Sequence, residues 1–353
     1  MSTAKGLAGV TAAESSLSRV DGEKGELIYR GYDIMDLGQN ASFEEVVYLL
    51  WHGDLPNETQ LNTFKAALVA NRTLPPAIIQ TMQNFPHEAH PMAVLRTVVS
   101  GLALTDLSAD DISAEGARKK SLMLTGAIPT IVAAWERIRN NKEPIAPRND
   151  LGHAANFLYM LTGEEPIQEA VTALDAYLVM LADHGFNAST FAARVTTGTL
   201  ADVYSAITTG LGTLKGAAHG GANQKAMEQF MDAAQRGDVD AWYAEARESG
   251  KRVMGIGHRV YKVEDPRAKI LRPMAEELAQ QGGQGQWYKI AARIEALTRQ
   301  DDFFVERNLY ANVDYYSAVV LYMIGIPVDQ FTCLFALSRI AGWTAHVQEQ
   351  LAD

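Results

Sequence analysis

Apolar residues recur at helical spacing along most of the chain. After Ser42, with Glu45 three residues on, a run of apolar positions ends near Gly53, which predicts a capped amphipathic helix over residues 43–51. The same spacing predicts helices over residues 58–70, 91–104, 116–139, 154–161, 167–181, 200–209, 224–234, 268–280, 287–297, 317–324 and 330–350. The only strand signal covers residues 25–29, after an Asp21-Gly22 turn, and is too short for a substantial sheet. The pattern therefore predicts a mostly α protein.

Length and composition predict two domains of unequal size. A chain of 353 residues exceeds the size at which a single core usually stops growing. Its 47% hydrophobic and 21% charged residues are typical of a globular protein. Because no Pro- or Ser-rich linker divides the chain, we expect the smaller domain to be inserted between helices of the larger one.

Charge and cysteine content exclude several classes of protein. The net charge of −11 argues against nucleic acid as a partner. The longest apolar run, residues 318–328, is interrupted by Gly325 and Pro327 and is too short to cross a membrane, so we expect no membrane anchor. The N-terminus has no apolar core of the secretory type, and Cys333 alone cannot form an intrachain disulfide. A cytoplasmic location is the resulting prediction.

Four separate segments each carry a reactive polar residue. They are DHGFNAST with His184, GAAHGGANQ with His219, MGIGHRVYKVEDPR with His258 and NVDYYS with Asp314. Glycines flank His219 and His258, and because glycine lets the backbone approach a ligand closely, we expect these histidines to face a bound molecule. In the first segment, Asn187 or Ser189 would also be a good first residue for the next helix.

Several kinds of site are compatible with these residues. Three histidines and an aspartate could bind a metal, although the usual local ligand spacing is absent. A hydrolase using Ser189 would need a Gly-x-Ser-x-Gly turn, and a phosphate loop would need its Gly-Lys-Ser/Thr signature; the chain has neither. A basic cluster either binds a polyanion or forms a solvated surface balanced by nearby acids, and it consists of Arg259, Lys262, Arg267, Lys269 and Arg272.

The segments GAAHGGANQ, GIGHRVYKVEDPRA, NVDYYSAVVLYMIGIP and FALSRIAGWTAHVQEQ, in this order, resemble the signature segments of citrate synthases. In the N-terminal half, GLAGVTAAESSLSRVDGEKGELIYRGYDI, SFEEVVYLLWHGDLP and HPMAVLRTVVS are similar to the short bacterial and archaeal form. The resemblance covers essentially the whole chain. It implies an almost all-helical pair of domains, a large one of residues 1–220 and 327–353 and a small one of residues 221–326, with the active site in the cleft between them.

The resemblance also implies a reaction. An acyltransferase of this family joins the methyl carbon of acetyl-CoA to the ketone carbon of oxaloacetate and then hydrolyses the citryl thioester, with no permanently bound cofactor and no metal. Asp314 matches the general base of the family, and His219 matches the donor to the thioester oxygen. Ser189 matches the partner of the other His219 ring nitrogen, and His258 matches the residue that polarises the ketone.

Further residues match the binding sites of the family. The residues expected to hold oxaloacetate or to line its site are His184, Asn187, Arg267, Phe335 and Arg339. Those expected to contact CoA are Val253, Met254, Gly255, Ile256 and Gly257, with Arg259 and Lys262 on its phosphates. Arginine suits a carboxylate because its planar fork donates two parallel hydrogen bonds.

The resemblance implies a homodimer, with larger homo-oligomers possible, and leaves two alternatives. One is a 2-methylcitrate synthase, which would use propionyl-CoA. The other is a catalytically impaired assembly protein that lacks the C-terminal arginine, because the family continues with Asn-Arg and an Arg-Pro-Arg segment where this sequence has Gln350-Leu351-Ala352-Asp353. We expect the native protein to carry such a tail; an intact mass equal to these 353 residues alone would refute this.

Overall fold

A computed structural model describes residues 12–281 and 283–353. Residues 1–11, which belong to the predicted large domain and to the first resembling segment, and residue 282 lie outside the described residues. Over the described part, the chain forms seventeen α-helices and one three-stranded sheet, so the mostly α prediction is confirmed.

The helices follow one another with short connections. They are Ile34–Asn40 (α1), Phe43–His52 (α2), Glu58–Ala70 (α3), Pro76–Gln83 (α4), Pro91–Leu102 (α5), Ala114–Arg139 (α6), His153–Thr162 (α7), Gln168–Leu181 (α8), Ala188–Thr197 (α9), Val203–Leu214 (α10), Ala222–Arg236 (α11), Val239–Glu248 (α12), Pro266–Gln281 (α13), Gln286–Thr298 (α14), Asp302–Val305 (α15), Val313–Met323 (α16) and Phe331–Ala352 (α17).

The small sheet anchors a loop of the candidate site. Its antiparallel strands are Ser18–Asp21 (β1), Glu26–Tyr29 (β2) and Tyr32–Asp33 (β3), and Ser18 pairs with Tyr29. The Ser18 hydroxyl donates to Asp183 Oδ2 at 2.5 Å, and the Tyr29 hydroxyl donates to the Asp183 carbonyl at 2.7 Å. The sheet thus fixes the backbone next to His184.

Helix ends follow local chemistry. The predicted capping box is present, because Ser42 accepts from the Glu45 amide and the Glu45 side chain accepts from the Ser42 amide, and Gly53 ends α2 at a φ of 92°. The helix predicted over residues 200–209 begins later than expected. Leu200 has a φ of 63°, which no helix interior allows, and Asp202 caps α10 by accepting from the Ser205 amide at 2.9 Å.

The core is organised around α17. Residues 331–347 of this helix are all buried, and they pack against α2, α6, α8, α9 and α10. Helices α11–α16 pack largely on one another, and α13 also contacts α1 and α8. At the first of these contacts Gly38 allows close packing, because a Cβ there would lie 2.7 Å from Ile270 Cδ1 and would displace that side chain. The domain boundaries at residues 221 and 326 remain a prediction.

No helix within residues 12–281 and 283–353 is both long and apolar enough to span a bilayer.

Candidate active site

Two predicted substrate histidines lie side by side. The ring centroids of His184 and His258 are 5.6 Å apart, although 74 positions separate the residues in sequence. Tyr261 joins them, because its hydroxyl lies 3.2 Å from His184 Nε2 and its ring centroid 4.8 Å from that of His258. The sequence prediction did not include Tyr261, although it belongs to the same HRVYK segment.

The tautomer of His258 follows from its backbone contacts. Its Nδ1 accepts from the amides of Val260 at 3.0 Å and Tyr261 at 3.2 Å. Burial, with help from the positive charge of Arg267, lowers the pKa of His258 to about 4. Near neutral pH the ring is therefore uncharged and carries its proton on Nε2, which leaves one N–H donor free for a ligand.

His219 lies in the turn between α10 and α11 and contacts Ser189. Its Nε2 is 2.9 Å from Ser189 Oγ, and burial together with Arg339 lowers its pKa to about 4. The turn needs Gly220, because a Cβ there would lie 2.4 Å from the Leu214 carbonyl oxygen. Ser189 itself stands in the first turn of α9, which Asn187 caps, as predicted.

Asp314 lies in the first turn of α16. Asn312 caps this helix by accepting from the Asp314 amide at 2.9 Å. Burial raises the pKa of the Asp314 carboxyl to about 6, although the positive charges of Arg267 and Arg339 oppose the increase. A carboxylate with this pKa is a stronger base than an ordinary aspartate and is still ionised at neutral pH.

The glycines before His258 bring the Asp314 segment close. Gly255 has a φ of 79°, and a Cβ on it would lie 2.9 Å from Tyr315 Cα. The Asn312 amide donates to the Gly255 carbonyl at 2.9 Å, and the Asn312 side chain donates to the Gly257 carbonyl at 2.8 Å. We expected these glycines to accommodate a ligand; Gly255 instead allows two parts of the site to pack together.

Arg267 is buried in an ion pair. Its Nε and Nη2 donate to the two Asp265 oxygens at 3.0 and 2.8 Å, and Asp265 Oδ2 also accepts from the Val313 amide at 3.2 Å. Asp265 therefore orients Arg267 and also holds the backbone next to Asp314. Sequence reasoning counted Asp265 only as a charge that balances the basic cluster.

Arg339 is buried without a carboxylate partner. It is 1% exposed, and no Asp or Glu in the described part of the chain forms an ion pair with it. Its Nε donates to the Leu181 carbonyl at 2.7 Å, and its guanidinium lies 4.7 Å from the centre of the Phe335 ring. Burial lowers the pKa of Arg339, and the charge of the nearby Asp183 carboxylate opposes this without an ion pair. Because a buried cation is costly unless it is paired, this position is suited to an anionic ligand.

Two buried arginines influence the pKa values of most of the predicted reactive residues, which indicates that these residues lie in one site. Arg339 influences the pKa of His184, His219 and Asp314, and Arg267 influences the pKa of His184, His258 and Asp314. Phe335, predicted as an aromatic neighbour, lies 6.3 Å from His219 between ring centroids. The four segments identified in the sequence therefore meet around two buried arginines.

A cavity of about 380 Å³ opens beside His258 and contains part of the predicted CoA stretch. Val253, Ile256, Gly257 and Arg259 line it. Three further cations that the prediction missed, Arg247, Lys251 and Arg252, line it together with Phe303, Phe304 and Leu309.

Three of the predicted CoA residues do not line this cavity. Both backbone polar groups of Met254 are hydrogen-bonded to the Gln229 side chain at 2.8 Å, and the Gly255 carbonyl is used by Asn312. Lys262 is exposed, and its backbone amide donates a hydrogen bond to the Gly22 carbonyl at 2.9 Å. The basic cluster is thus divided, because Arg267 is buried, Arg259 lines the cavity and Arg272 pairs with Glu264 and Glu295.

Within residues 12–281 and 283–353, no group of three or more His, Cys, Asp or Glu side chains is arranged to hold a metal ion.

Similar proteins identify the family. The family described as citrate synthase, C-terminal domain, matches residues 6–353 of this chain. The citrate synthase of Haloferax volcanii is 46% identical over 99% of this chain and 92% of its own, and a 2-methylcitrate synthase of Mycobacterium tuberculosis is 37% identical over 98% and 86%. A ternary complex of the Thermoplasma acidophilum citrate synthase with carboxymethyl coenzyme A and oxaloacetate superimposes with a TM-score of 0.91 at 33% identity, covering 97% of this chain and 90% of that one. The four-segment site therefore belongs to a chain of the citrate synthase family.

Proposed function

We propose that this chain is a citrate synthase that condenses acetyl-CoA with oxaloacetate and hydrolyses the citryl thioester to citrate and CoA. The observation that carries the proposal is the arrangement around Arg339. A buried guanidinium that forms no ion pair within residues 12–281 and 283–353 lies near two neutral histidines and an aspartate of raised pKa. This set of groups suits a substrate that is an anion and a reaction that moves a proton from carbon.

In the first step, Asp314 removes a proton from the acetyl methyl group. His219 donates a hydrogen bond to the thioester oxygen, where negative charge develops, so that the enol rather than a free carbanion forms. A neutral histidine is a suitable donor because its remaining proton can be shared with the enol oxygen without leaving a buried positive charge. The low pKa of His219, about 4, is consistent with this role.

In the second step, the enol carbon attacks the ketone carbon of oxaloacetate. The proton on His258 Nε2 polarises the ketone oxygen and neutralises the alkoxide that forms, while His184 contacts the same substrate. Arg339 and the remaining donors of Arg267 hold the oxaloacetate carboxylates. Asn187 acts on the substrate only through Ser189 and His219, because its side-chain oxygen is used within the helix cap.

In the third step, water attacks the thioester carbon of citryl-CoA, and the C–S bond breaks to release the CoA thiol and citrate. For CoA we propose the cavity beside His258, where Arg252 and Arg259 can meet phosphates and the phenylalanines can meet the adenine ring. Arg247 and Lys251 also line it but pair with Asp301 at 2.6 Å and Asp232 at 2.8 Å. Arg259 is the cation of this group that the sequence predicted.

We propose a homodimer, on the basis of exposed apolar side chains. Leu104 and Leu107 in the α5–α6 connection are 89% and 108% exposed, and Val195 and Leu200 near the α9–α10 turn are 53% and 70% exposed. The two segments meet where the Tyr204 hydroxyl donates to Asp106 at 2.8 Å. Exposed apolar side chains on two neighbouring segments are typical of an interface. A cytoplasmic location remains a prediction that rests on the cysteine content.

A thiol-release assay tests the function and its alternatives. Purified protein is given oxaloacetate with either acetyl-CoA or propionyl-CoA, and released CoA is measured with a thiol reagent. We expect oxaloacetate-dependent release with a preference for acetyl-CoA. A clear preference for propionyl-CoA would favour a 2-methylcitrate synthase, in line with the Mycobacterium tuberculosis relative. An absence of release with either thioester would favour the assembly protein.

A further inference from the structure

The Ser189 hydroxyl has more partners than it has protons. Its Oγ lies 2.9 Å from His219 Nε2, 2.8 Å from Asn187 Oδ1 and 3.1 Å from Trp343 Nε1. Ser189 and Trp343 are both fully buried, so water does not compete for these contacts. An indole N–H can only donate, and a hydroxyl has a single proton. Ser189 can therefore donate either to Asn187 or to His219, but not to both.

The direction of this proton decides which nitrogen of His219 can act. If Ser189 donates to Asn187, then His219 Nε2 must donate to Ser189, and the neutral ring has no proton on Nδ1. If Ser189 donates to His219 Nε2, the ring proton is on Nδ1, the nitrogen that does not face Ser189. Only the second arrangement gives His219 a donor for a thioester oxygen.

Trp343 favours the second arrangement. Its indole proton occupies one lone pair of Ser189 Oγ, which makes the hydroxyl a better donor and a poorer acceptor for a second proton from His219. Asn187 competes weakly for the hydroxyl proton, because its Oδ1 already accepts from the amides of Ser189 and Thr190 at 3.2 and 3.1 Å. Gly210 leaves room for the Trp343 ring, because an added Cβ there would lie 3.3 Å from Trp343 Cε2.

We propose that Trp343 is a positioning residue for His219: its indole N–H directs the Ser189 hydroxyl proton to His219 Nε2 and so keeps the ring proton on Nδ1. The inference rests on the proposed function for its catalytic consequence, but the tautomer is a property of the free protein. Trp343 acts through Ser189 and does not itself contact the reacting atoms.

The test compares Trp343→Phe with two tryptophan controls. Trp135 is equally buried, but its Nε1 has no hydrogen-bond partner among the described residues. Trp51 Nε1 donates to Thr344, which lies on α17 as Trp343 does, at 3.0 Å and away from Ser189. Trp343→Phe should lower kcat roughly three- to tenfold, the effect of one net hydrogen bond, and leave the KM for oxaloacetate within about twofold. Trp135→Phe and Trp51→Phe should keep the wild-type kcat.

Two readouts separate positioning from simple packing. In a Ser189→Ala background, Trp343→Phe should cause no further loss of kcat, because the hydroxyl through which it acts is gone. In 15N-histidine-labelled protein, long-range 1H–15N spectra should show the His219 proton on Nδ1 in the wild type and on Nε2 in Trp343→Phe, with His219→Asn identifying the signal.

The inference is overturned if His219 carries its proton on Nε2 in the wild type. It is also overturned if Trp343→Phe lowers kcat by the same factor in the Ser189→Ala background as in the wild type. An equal loss of kcat in Trp135→Phe would also overturn it. If the wild-type protein releases no thiol, the proposed function fails, and the tautomer measurement still decides the role of Trp343.

Discussion

Replacing Asp314 by asparagine should abolish turnover and at the same time stabilise the protein. The folded-state pKa of this carboxyl is about 6, above its ordinary value of 3.8, because burial disfavours the charged form. The resulting loss of folding free energy therefore grows as the pH rises from about 3.8 to about 6 and is fully present above pH 6. Below the ordinary pKa, the carboxyl is protonated in both the folded and the unfolded chain, and the cost disappears.

The size of the effect follows from the two pKa values. The difference between pKa values of 3.8 and about 6 lowers the free energy of unfolding by about 3 kcal/mol at neutral pH and by about 1 kcal/mol at pH 4.5. With an unfolding entropy of about 2.1 cal/mol/K per residue over 353 residues, 3 kcal/mol raises the melting temperature by about 4 °C. The substitution keeps the hydrogen bond that the backbone amide of residue 314 donates to the Asn312 side chain, so α16 should still begin at the same residue.

Asp175 provides a matched control. Asp175 lies on α8, outside the site, and burial raises its pKa to about 7. Its carboxylate accepts a hydrogen bond from the Phe43 amide at 3.3 Å. Asp175→Asn should also stabilise the protein at neutral pH but retain full thiol release. Melting temperatures of the three proteins are measured at about pH 7.5 and 4.5. The reasoning would be refuted if Asp314→Asn gave no stabilisation at pH 7.5, an equal one at both pH values, or retained turnover.

Three further predictions concern the substrate, the pH dependence and the assembly. Arg339→Met should raise the KM for oxaloacetate about 30-fold or more, because losing a charged contact to a buried carboxylate costs about 2–5 kcal/mol. Arg19 is exposed, and Arg19→Met should leave this KM unchanged. An unchanged KM in Arg339→Met would contradict the carboxylate role. The pH profile of kcat/KM should fall below about pH 6 as Asp314 takes up a proton, and activity that stays flat down to pH 5 would contradict this assignment. Leu107→Glu should convert the dimer to a monomer in sedimentation velocity, while Ile167→Glu, also at an exposed position, should not; a monomeric wild type would exclude the dimer.

Helices were predictable where an apolar stripe and a cap coincide in the sequence. The capping box of α2 is the clearest case. Helix α12 was missed because its stretch is mostly polar and only Trp242, Tyr243 and Ala246 are buried, and α15 because four residues carry no periodicity. The short helix α4 begins at the second of two consecutive prolines and was also missed, although Pro76 is a favourable first residue of a helix.

The reactive residues of the site were predictable because each lies in a distinctive segment. What the sequence could not supply is the set of contacts that join segments far apart in the chain. The Tyr261 contact to His184, the Asp265 contact to the Val313 amide and the Trp343 contact to Ser189 all connect different segments. Local patterns contain no information on such contacts. The sequence could have marked Tyr261 as a candidate because it lies within the HRVYK segment, but not its partner.

The central claim is that Asp314 starts a condensation between acetyl-CoA and oxaloacetate at this site. The most direct measurement supplies acetyl-CoA labelled with 13C at the methyl carbon, together with oxaloacetate, and follows the label by NMR while thiol is released. We predict that the wild type transfers the label into a methylene group of citrate and that Asp314→Asn forms almost none. Thiol release that leaves the label in free acetate, or label transfer by Asp314→Asn at the wild-type rate, would contradict the claim.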